Sequence, residues 1–157
     1  MALLEIRKFG DPVLKKKAEE VKEITPEIKE LIFNMKETLR HAQGVGLAAP
    51  QIGVSKRAIV VQIEKEAVGF LNPRIIVSSR QKEIQEEGCL CLPGIFFKIK
   101  RAKEAEIEAL GEKGEIVRIE AKGLLARIFQ HEIDHLNGIL VIDRISSWQK
   151  LCRLFKI

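Results

Sequence analysis

The chain predicts an α+β fold built on antiparallel strands, and three observations carry that prediction. Apolar residues recur at helical spacing between 26 and 41, short β-branched runs follow between 57 and 120, and helical spacing returns at 124–136. The last of these segments contains His131-Glu132-Ile133-Asp134-His135, which a helix turns into two imidazoles on one face with a carboxylate beside the first.

The first helix is marked at its start by Thr25-Pro26-Glu27, an N-cap, a first-turn proline and a first-turn acid. Ile28, Leu31, Ile32, Met35 and Leu39 then form an amphipathic stripe that reads as core, over residues 26 to 41. The strand region reads Ala58-Ile59-Val60-Val61, Arg74-Ile75-Ile76-Val77, Ile107-Glu108-Ala109-Leu110 and Glu115 to Glu120. Gly111-Glu112-Lys113-Gly114 is the hairpin connection between the last two, because glycine supplies the positive φ of tight turns. Leu124, Leu125, Ile128, Phe129 and Leu136 define the second helix, and Asn137-Gly138 ends it. The tail from Ser146 places Trp148, Leu151, Cys152 and Phe155 on one face, which reads as a short C-terminal helix docked on the body.

A chain of 157 residues with 46% hydrophobic residues suits a single domain over 1–157. The net charge of +5 comes from basic residues interleaved with acids, as in Lys15-Lys16-Lys17 before Glu19-Glu20, and the chain has no Tyr and one Trp. That pattern is a solvated surface rather than a nucleic-acid groove with stacking aromatics, so no direct nucleic-acid binding is expected. Charges interrupt the first eight residues, excluding a secretory hydrophobic region, and no stretch is long enough to span a bilayer. Three cysteines argue against a disulfide framework and for a reducing compartment. The expected location is the cytoplasm; an organelle matrix reached through a removed transit peptide reads the same.

His-Glu-x-x-His points to a metal site, because a divalent cation lowers the pKa of bound water from about 15.7 to roughly 7 while the glutamate moves protons. A catalytic site of this type needs three protein ligands and an open position. The downstream zincin pattern has Gly138 in place but ends in Val141 instead of histidine, no glutamate follows His135, and Asp143 comes too soon after the helix. An upstream cysteine is therefore the natural third ligand. Cys89 and Cys91 fall on the same side of an extended segment, so spacing leaves both open. Gly44-Val45-Gly46-Leu47-Ala48-Ala49-Pro50-Gln51 combines small residues with one amide, and reads equally as a binding loop or as a tight connection into the sheet.

Taken together and in this order, Gly44 to Gln51, Glu87-Gly88-Cys89-Leu90 and Gln130 to Gly138 closely resemble the three signature motifs of peptide deformylase. The likeness extends from Phe9-Gly10-Asp11-Pro12 through Leu71-Asn72-Pro73 to Ile142-Asp143-Arg144. It implies antiparallel sheets around a central metal-binding helix, with Cys89, His131 and His135 as ligands of one divalent metal ion per chain. Family usage makes Fe²⁺ the expected ion in cells, and the ligand set also accepts Zn²⁺, Ni²⁺ or Co²⁺. Glu132 is implied as general acid/base, and the Gln51 amide and Leu90 N–H as donors to the developing oxyanion. Gly44, Val45, Gly46 and Gly88 are implied to hold the substrate, whose backbone adds as a strand. The implied reaction removes the N-formyl group from the initiator methionine of nascent chains, releasing formate. The partners implied are N-formylmethionyl peptides and nascent chains, with transient ribosome proximity and no membrane.

Two positions depart from the family pattern. Cys91 stands where serine is usual, and as an exposed thiolate it is expected to raise sensitivity to oxidation. Gly94 and Phe96 stand where many members carry an acid and an arginine, which leaves peptide contacts beyond methionine unassigned. Asp134 reads as a structural partner for an arginine such as Arg101. The rival readings are a His-Glu-x-x-His metallopeptidase and a noncatalytic protein whose Cys/His site is structural.

Overall fold

The computed structural model describes residues 2–154, and side chains up to residue 150. Helix α1 spans Pro26–His41, with the Thr25 hydroxyl accepting from the Ile28 N–H at 3.3 Å, as its capping signature predicts. Strand β1 is Gly46–Ala48 and runs into a 3₁₀ turn, Ala49–Ile52. Strands β2 Ala58–Ile63, β3 Glu66–Ser78, β4 Lys82–Cys89, β5 Leu92–Ala102, β6 Glu104–Leu110 and β7 Ile116–Lys122 follow. Helix α2 is Gly123–Leu136, after which come the short turn α3 Val141–Arg144 and α4 Ser147–Leu154.

Five strands form an antiparallel sheet in the order β1-β2-β3-β6-β7, and β4 pairs with β5 in a separate hairpin. The large sheet lies between two helices. Ile59 and Val61 share a cluster with Phe129, Ile133 and Leu136 of α2, while Ala58 and Val60 share one with Ile32, Met35 and Leu39 of α1. Because both faces of β2 are covered, it reads as an unbroken apolar run instead of alternating. Phe70 on β3 meets Phe129 on α2 edge to face, at a centroid distance of 5.3 Å.

Helix α2 is fixed at both ends. Gly123 follows β7 directly with φ +58°, and its N–H donates to the Lys103 carbonyl at 2.9 Å. At the other end the Leu136 carbonyl accepts from the Ala18 N–H at 2.8 Å and from Arg57 Nη1 at 3.1 Å, satisfying an orphan helix carbonyl. Gly138 has φ +73°, and a Cβ there would stand 2.5 Å from the Lys15 carbonyl oxygen, so only glycine closes this end.

Three expectations are corrected. Cys89 and Cys91 are not on one extended segment: β4 ends at Cys89, Leu90 and Cys91 form a two-residue turn, and β5 begins at Leu92. Nor is Cys91 exposed. It is buried at 1% exposure and clusters with Leu14 and Leu140, because the turn folds its side chain inward. In the tail, Trp148 is 68% exposed and so does not dock; the side chains of Leu151, Cys152 and Phe155 lie outside the described residues.

Candidate metal centre

Helix α2 carries His131 and His135 one turn apart, and the end of β4 brings Cys89 against them. Cys89 Sγ lies 3.3 Å from His135 Nε2, which lies 3.2 Å from His131 Nε2. The three donor atoms all fall within 4.8 Å of one another. Three lone-pair donors converging on one point repel unless a cation or proton stands between them, and one soft sulfur with two imidazoles is a donor set for a first-row divalent metal. The residues therefore fit such an ion.

The orientation of His131 is set from behind. Its Nδ1 is 3.0 Å from Glu87 Oε1, which leaves Nε2 directed at the other donors. Arg101 grips both oxygens of Glu87 at 2.9 Å, and Arg127 Nη1 donates to Glu87 Oε2. Arg101 also donates to Asp134 at 2.6 Å, and Asp134 is held in turn by Arg144. Burial alone would push the Glu87 carboxyl up, but His131 and Arg101 outweigh it and hold it well below the usual carboxylate range. Asp134 thus is the arginine partner its sequence position suggested. Glu87, Arg127 and Arg144 form the rest of this network, and sequence reasoning gave them no role. One signal pointed to Glu87: two residues before Cys89 on a strand, it must face the same side.

Glu132 is 3% exposed beside His131. Among the described residues its Oε2 and the Nδ1 of His135 are the buried side-chain N or O atoms without a hydrogen-bond partner. Burial raises the Glu132 carboxyl to about 7; the His131 imidazole opposes this shift and the Glu87 charge adds to it. Gly46 is required opposite it, since a Cβ at that position would collide with the Glu132 carboxylate. Gln51 is 1% exposed; its Oε1 accepts from the Ala48 N–H at 2.8 Å, so its amide nitrogen faces the cluster, 3.5 Å from each of Cys89 and Cys91 Sγ. That backbone contact fixes which end of the amide donates.

A cavity of about 660 Å³ opens onto these groups. Gly44, Val45, Gly46 and Gln51 line one wall, Gly88, Cys89 and Leu90 another, and His131 and Glu132 the floor. Every residue that the resemblance implies for the site lines this cavity except His135, which is 1% exposed and lies behind the lining, and the other candidate thiol, Cys91, does not line it. The segment from Gly44 proves to be a strand and a turn, and β1 is an edge of the five-stranded sheet. The downstream positions are engaged elsewhere: Val141, which offers no donor atom, packs with Phe97 and Ile99, and Asp143 pairs with Lys15 and caps the Leu140 N–H.

Residues 3–151 match the sequence profile of the family described as polypeptide deformylase. A peptide deformylase of Halothermothrix orenii is 54% identical over 147 residues, covering 92% of this chain and 95% of that protein. One from Carboxydothermus hydrogenoformans is 52% identical over 148 residues, covering 94% and 96%. Among solved structures, the peptide deformylase of Thermotoga maritima superposes with a TM-score of 0.91 at 46% identity, over 94% of this chain and 100% of that one. The enzyme of Synechococcus elongatus in complex with actinonin gives 0.91 at 38% identity, over 98% and 84%.

Proposed function

This chain belongs to the polypeptide deformylase family, and from that premise we propose which of its residues carry the reaction and how. As a member it is a metallohydrolase that removes the N-formyl group from newly synthesised polypeptides. The observation that carries the residue assignment is the convergence of Cys89, His131 and His135 beside Glu132 and the Gln51 amide, at the floor of one cavity.

Cys89, His131 and His135 would hold one divalent metal ion, with Fe²⁺ the proposed ion in cells and Zn²⁺, Ni²⁺ or Co²⁺ able to replace it. When bound, such an ion supplies Lewis-acid polarisation and lowers the pKa of water it holds. Glu87 keeps the His131 ring turned so that Nε2 faces the donor atoms of His135 and Cys89. Gln51 Nε2 and the Leu90 N–H donate to the formyl oxygen as negative charge develops there. Glu132, buried and one carboxylate oxygen unpartnered, takes a proton from the attacking water and passes one to the amine nitrogen as the C–N bond breaks, leaving formate and a free amino terminus. Gly44 and Val45, which lead into the edge strand β1 at Gly46, and the backbone at Gly88 hold the peptide extended, as an added strand.

We further propose one catalytic unit over 1–157, acting in the cytoplasm on nascent N-formylmethionyl chains in transient proximity to the ribosome. Among the described residues no helix is long and apolar enough to cross a membrane. The decisive test is anaerobic formate release from a formyl-methionyl peptide by metal-loaded protein, with Glu132→Gln as control. Wild type should release formate and the variant should lose at least about 10³-fold in kcat. No formate from wild type, or full activity in the variant, would overturn the assignment.

A further inference from the structure

The turn between β4 and β5 carries a second thiol to which hydrolysis gives no role. Gln51 Nε2 lies 3.5 Å from Cys89 Sγ and 3.5 Å from Cys91 Sγ, so the two sulfurs share one amide nitrogen, which has an N–H for each. Cys89, the last residue of β4, pairs with Leu92, and Leu90 and Cys91 make the tight turn between them. Such a turn brings Cα atoms two residues apart within the roughly 4.4–6.8 Å that a disulfide spans. The turn is also held from outside: Lys8 Nζ donates to the Leu90 carbonyl at 3.2 Å, and the Phe9 N–H to the Cys91 carbonyl at 3.0 Å. Neighbouring thiols on a pinned backbone need only side-chain rotation to meet.

The two thiols differ in what can reach them. Cys89 lines the cavity, whereas Cys91 is 1% exposed and packs with Leu14 and Leu140. A peroxide entering the cavity therefore meets Cys89 first. We propose that Cys91 is the resolving thiol of Cys89, so that a peroxide converts the pair into a Cys89–Cys91 disulfide and damage to the metal centre becomes a reversible block. The Cys89 sulfur attacks one peroxide oxygen: an S–O bond forms, the O–O bond breaks, and the departing hydroxide takes a proton to become water. The Cys91 sulfur gives up its proton and attacks the sulfenic sulfur of Cys89: the S–S bond forms, the S–O bond breaks, and a second water leaves. Counted from the two thiols, two electrons and two protons pass to the peroxide. Without a thiol at 91, further peroxide carries Cys89 on to the sulfinic and sulfonic acids, which thiols do not restore. A thiol already in place outruns that second encounter, because its attack is intramolecular. The thiolate is the metal-binding form of cysteine, so the oxidised site keeps only its two imidazoles and releases the ion. Burial thus makes Cys91 a guard for Cys89 and not an added target. The disulfide needs the two thiols and not turnover, so it stands apart from the deformylase reading.

The test treats wild type and Cys91→Ser, both loaded with zinc because it has no redox step of its own, with hydrogen peroxide under anaerobic conditions. Free thiols are then blocked and the protein is cut with trypsin, which releases residues 83–98 as one peptide that holds both cysteines and excludes Cys152. Released zinc is measured by elemental analysis. Formate release is followed before oxidation, after it, and after dithiothreitol and fresh zinc. The wild-type peptide should be two hydrogens lighter and unblocked, the zinc should be free, and dithiothreitol with zinc should restore activity. In Cys91→Ser the peptide should gain oxygens at Cys89, and the fraction of activity recovered should be about tenfold lower. A wild-type peptide that gains oxygens at Cys89 while Cys91 is still blocked as a thiol, or that is joined to another cysteine, overturns the proposal. So does equal recovery in the two proteins. Circular dichroism before oxidation checks the fold of the variant, and if the variant fails to fold, the mass of the wild-type peptide decides alone. No formate from untreated wild type overturns the deformylase reading and leaves that mass to decide on the disulfide.

Discussion

Helix α2 and the β4–β5 hairpin meet at the same site by different means. The helix packs Ala126, Ile128, Phe129, Ile133 and Leu136 into the apolar core against the large sheet, and turns Arg127, Asp134 and its histidines toward the hairpin. The hairpin faces the helix with Glu87 and Arg101, two charges at 7% and 4% exposure that neutralise each other and steady Asp134 and His131. A helix can be docked by shape, because apolar packing is non-directional and roughly proportional to area. A charged hairpin is docked by geometry, since a buried charge is tolerated only where its hydrogen bonds are complete. Placing a thiolate beside two imidazoles needs the second kind of precision, and Cys89 sits at the end of the strand that carries Glu87.

Removing one donor from each side tests whether the two regions contribute equally to holding a metal. His131→Ala on the helix and Cys89→Ala on the hairpin should each abolish stoichiometric metal retention after dialysis, and lower kcat by about 10³-fold or more. Retention of one metal per chain in Cys89→Ala, measured by elemental analysis, would transfer the hairpin's role to another residue. Chelation of the wild type should reproduce the same loss reversibly.

The next effect separates the two kinds of docking. Arg101→Met leaves Glu87 and Asp134 buried without their shared guanidinium and should cost about 3–5 kcal/mol in urea unfolding. Arg74→Met, which removes the exposed partner of Glu108, should cost less than about 1 kcal/mol. Equal costs would show that the Glu87–Arg101–Asp134 network does not hold the hairpin. Since Glu87 orients His131, Arg101→Met should also weaken metal binding by roughly tenfold or more.

The same contrast explains what was legible beforehand. Helix α1 falls at 26–41 as the spacing of Ile28 to Leu39 and the Thr25 cap require, and α2 ends at the Asn137-Gly138 stop. Strands β4 and β5 left no pattern, because at the inward positions 87 and 101 the hydrophobic half of the alternation is replaced by charge. Lys98 and Lys100 face out, and Pro93-Gly94 fall where the register breaks. In β3, Pro73 sits at the register shift between Leu71 and Arg74, where its missing N–H costs no ladder bond. The site residues were legible as three separate motifs. Their convergence was implied by the family resemblance alone and by no pattern within the chain, since Gln51, Cys89 and His131 come together only through the edge strand, the hairpin and the helix at once.

A smaller effect probes the contact between the floor and wall of the cavity. Gly46→Ala pushes a methyl group into the Glu132 carboxylate, so the carboxylate must turn or the edge strand must retreat. Displacement of either by a fraction of an ångström should lower kcat/KM by about 10- to 100-fold, with the melting temperature changing little because β1 is a three-residue edge strand. Gly94→Ala offers a contrast on the hairpin, where no atom lies within 4 Å of the added carbon; at φ +75° it should cost stability by about 1 kcal/mol while sparing turnover. Equal loss of kcat/KM in the two would place the effect in general strain and not in Glu132.

The smallest effect concerns the segment after α2 that braces both regions. Asp143 accepts from the Leu140 N–H at 2.8 Å and pairs with Lys15. Burial pushes its carboxyl up, but Lys15 and that N–H outweigh burial and hold it below the ordinary 3.8. A carboxyl lowered in the folded state contributes stability that is present above its unfolded value and is lost as pH falls through the folded one. Asp143→Asn keeps an acceptor for the Leu140 N–H while removing the charge. It should therefore cost about 0.5 kcal/mol near neutrality, discounted because the pair is partly solvated. The gap from wild type should close as pH falls below 3.8, and narrow in high salt at neutral pH. Urea unfolding at pH 7 and at pH 3 reads this directly. A gap that persists at pH 3 would assign the contribution of Asp143 to packing with α3 instead of charge, and the brace would then resemble α2 in its docking more than it resembles the hairpin.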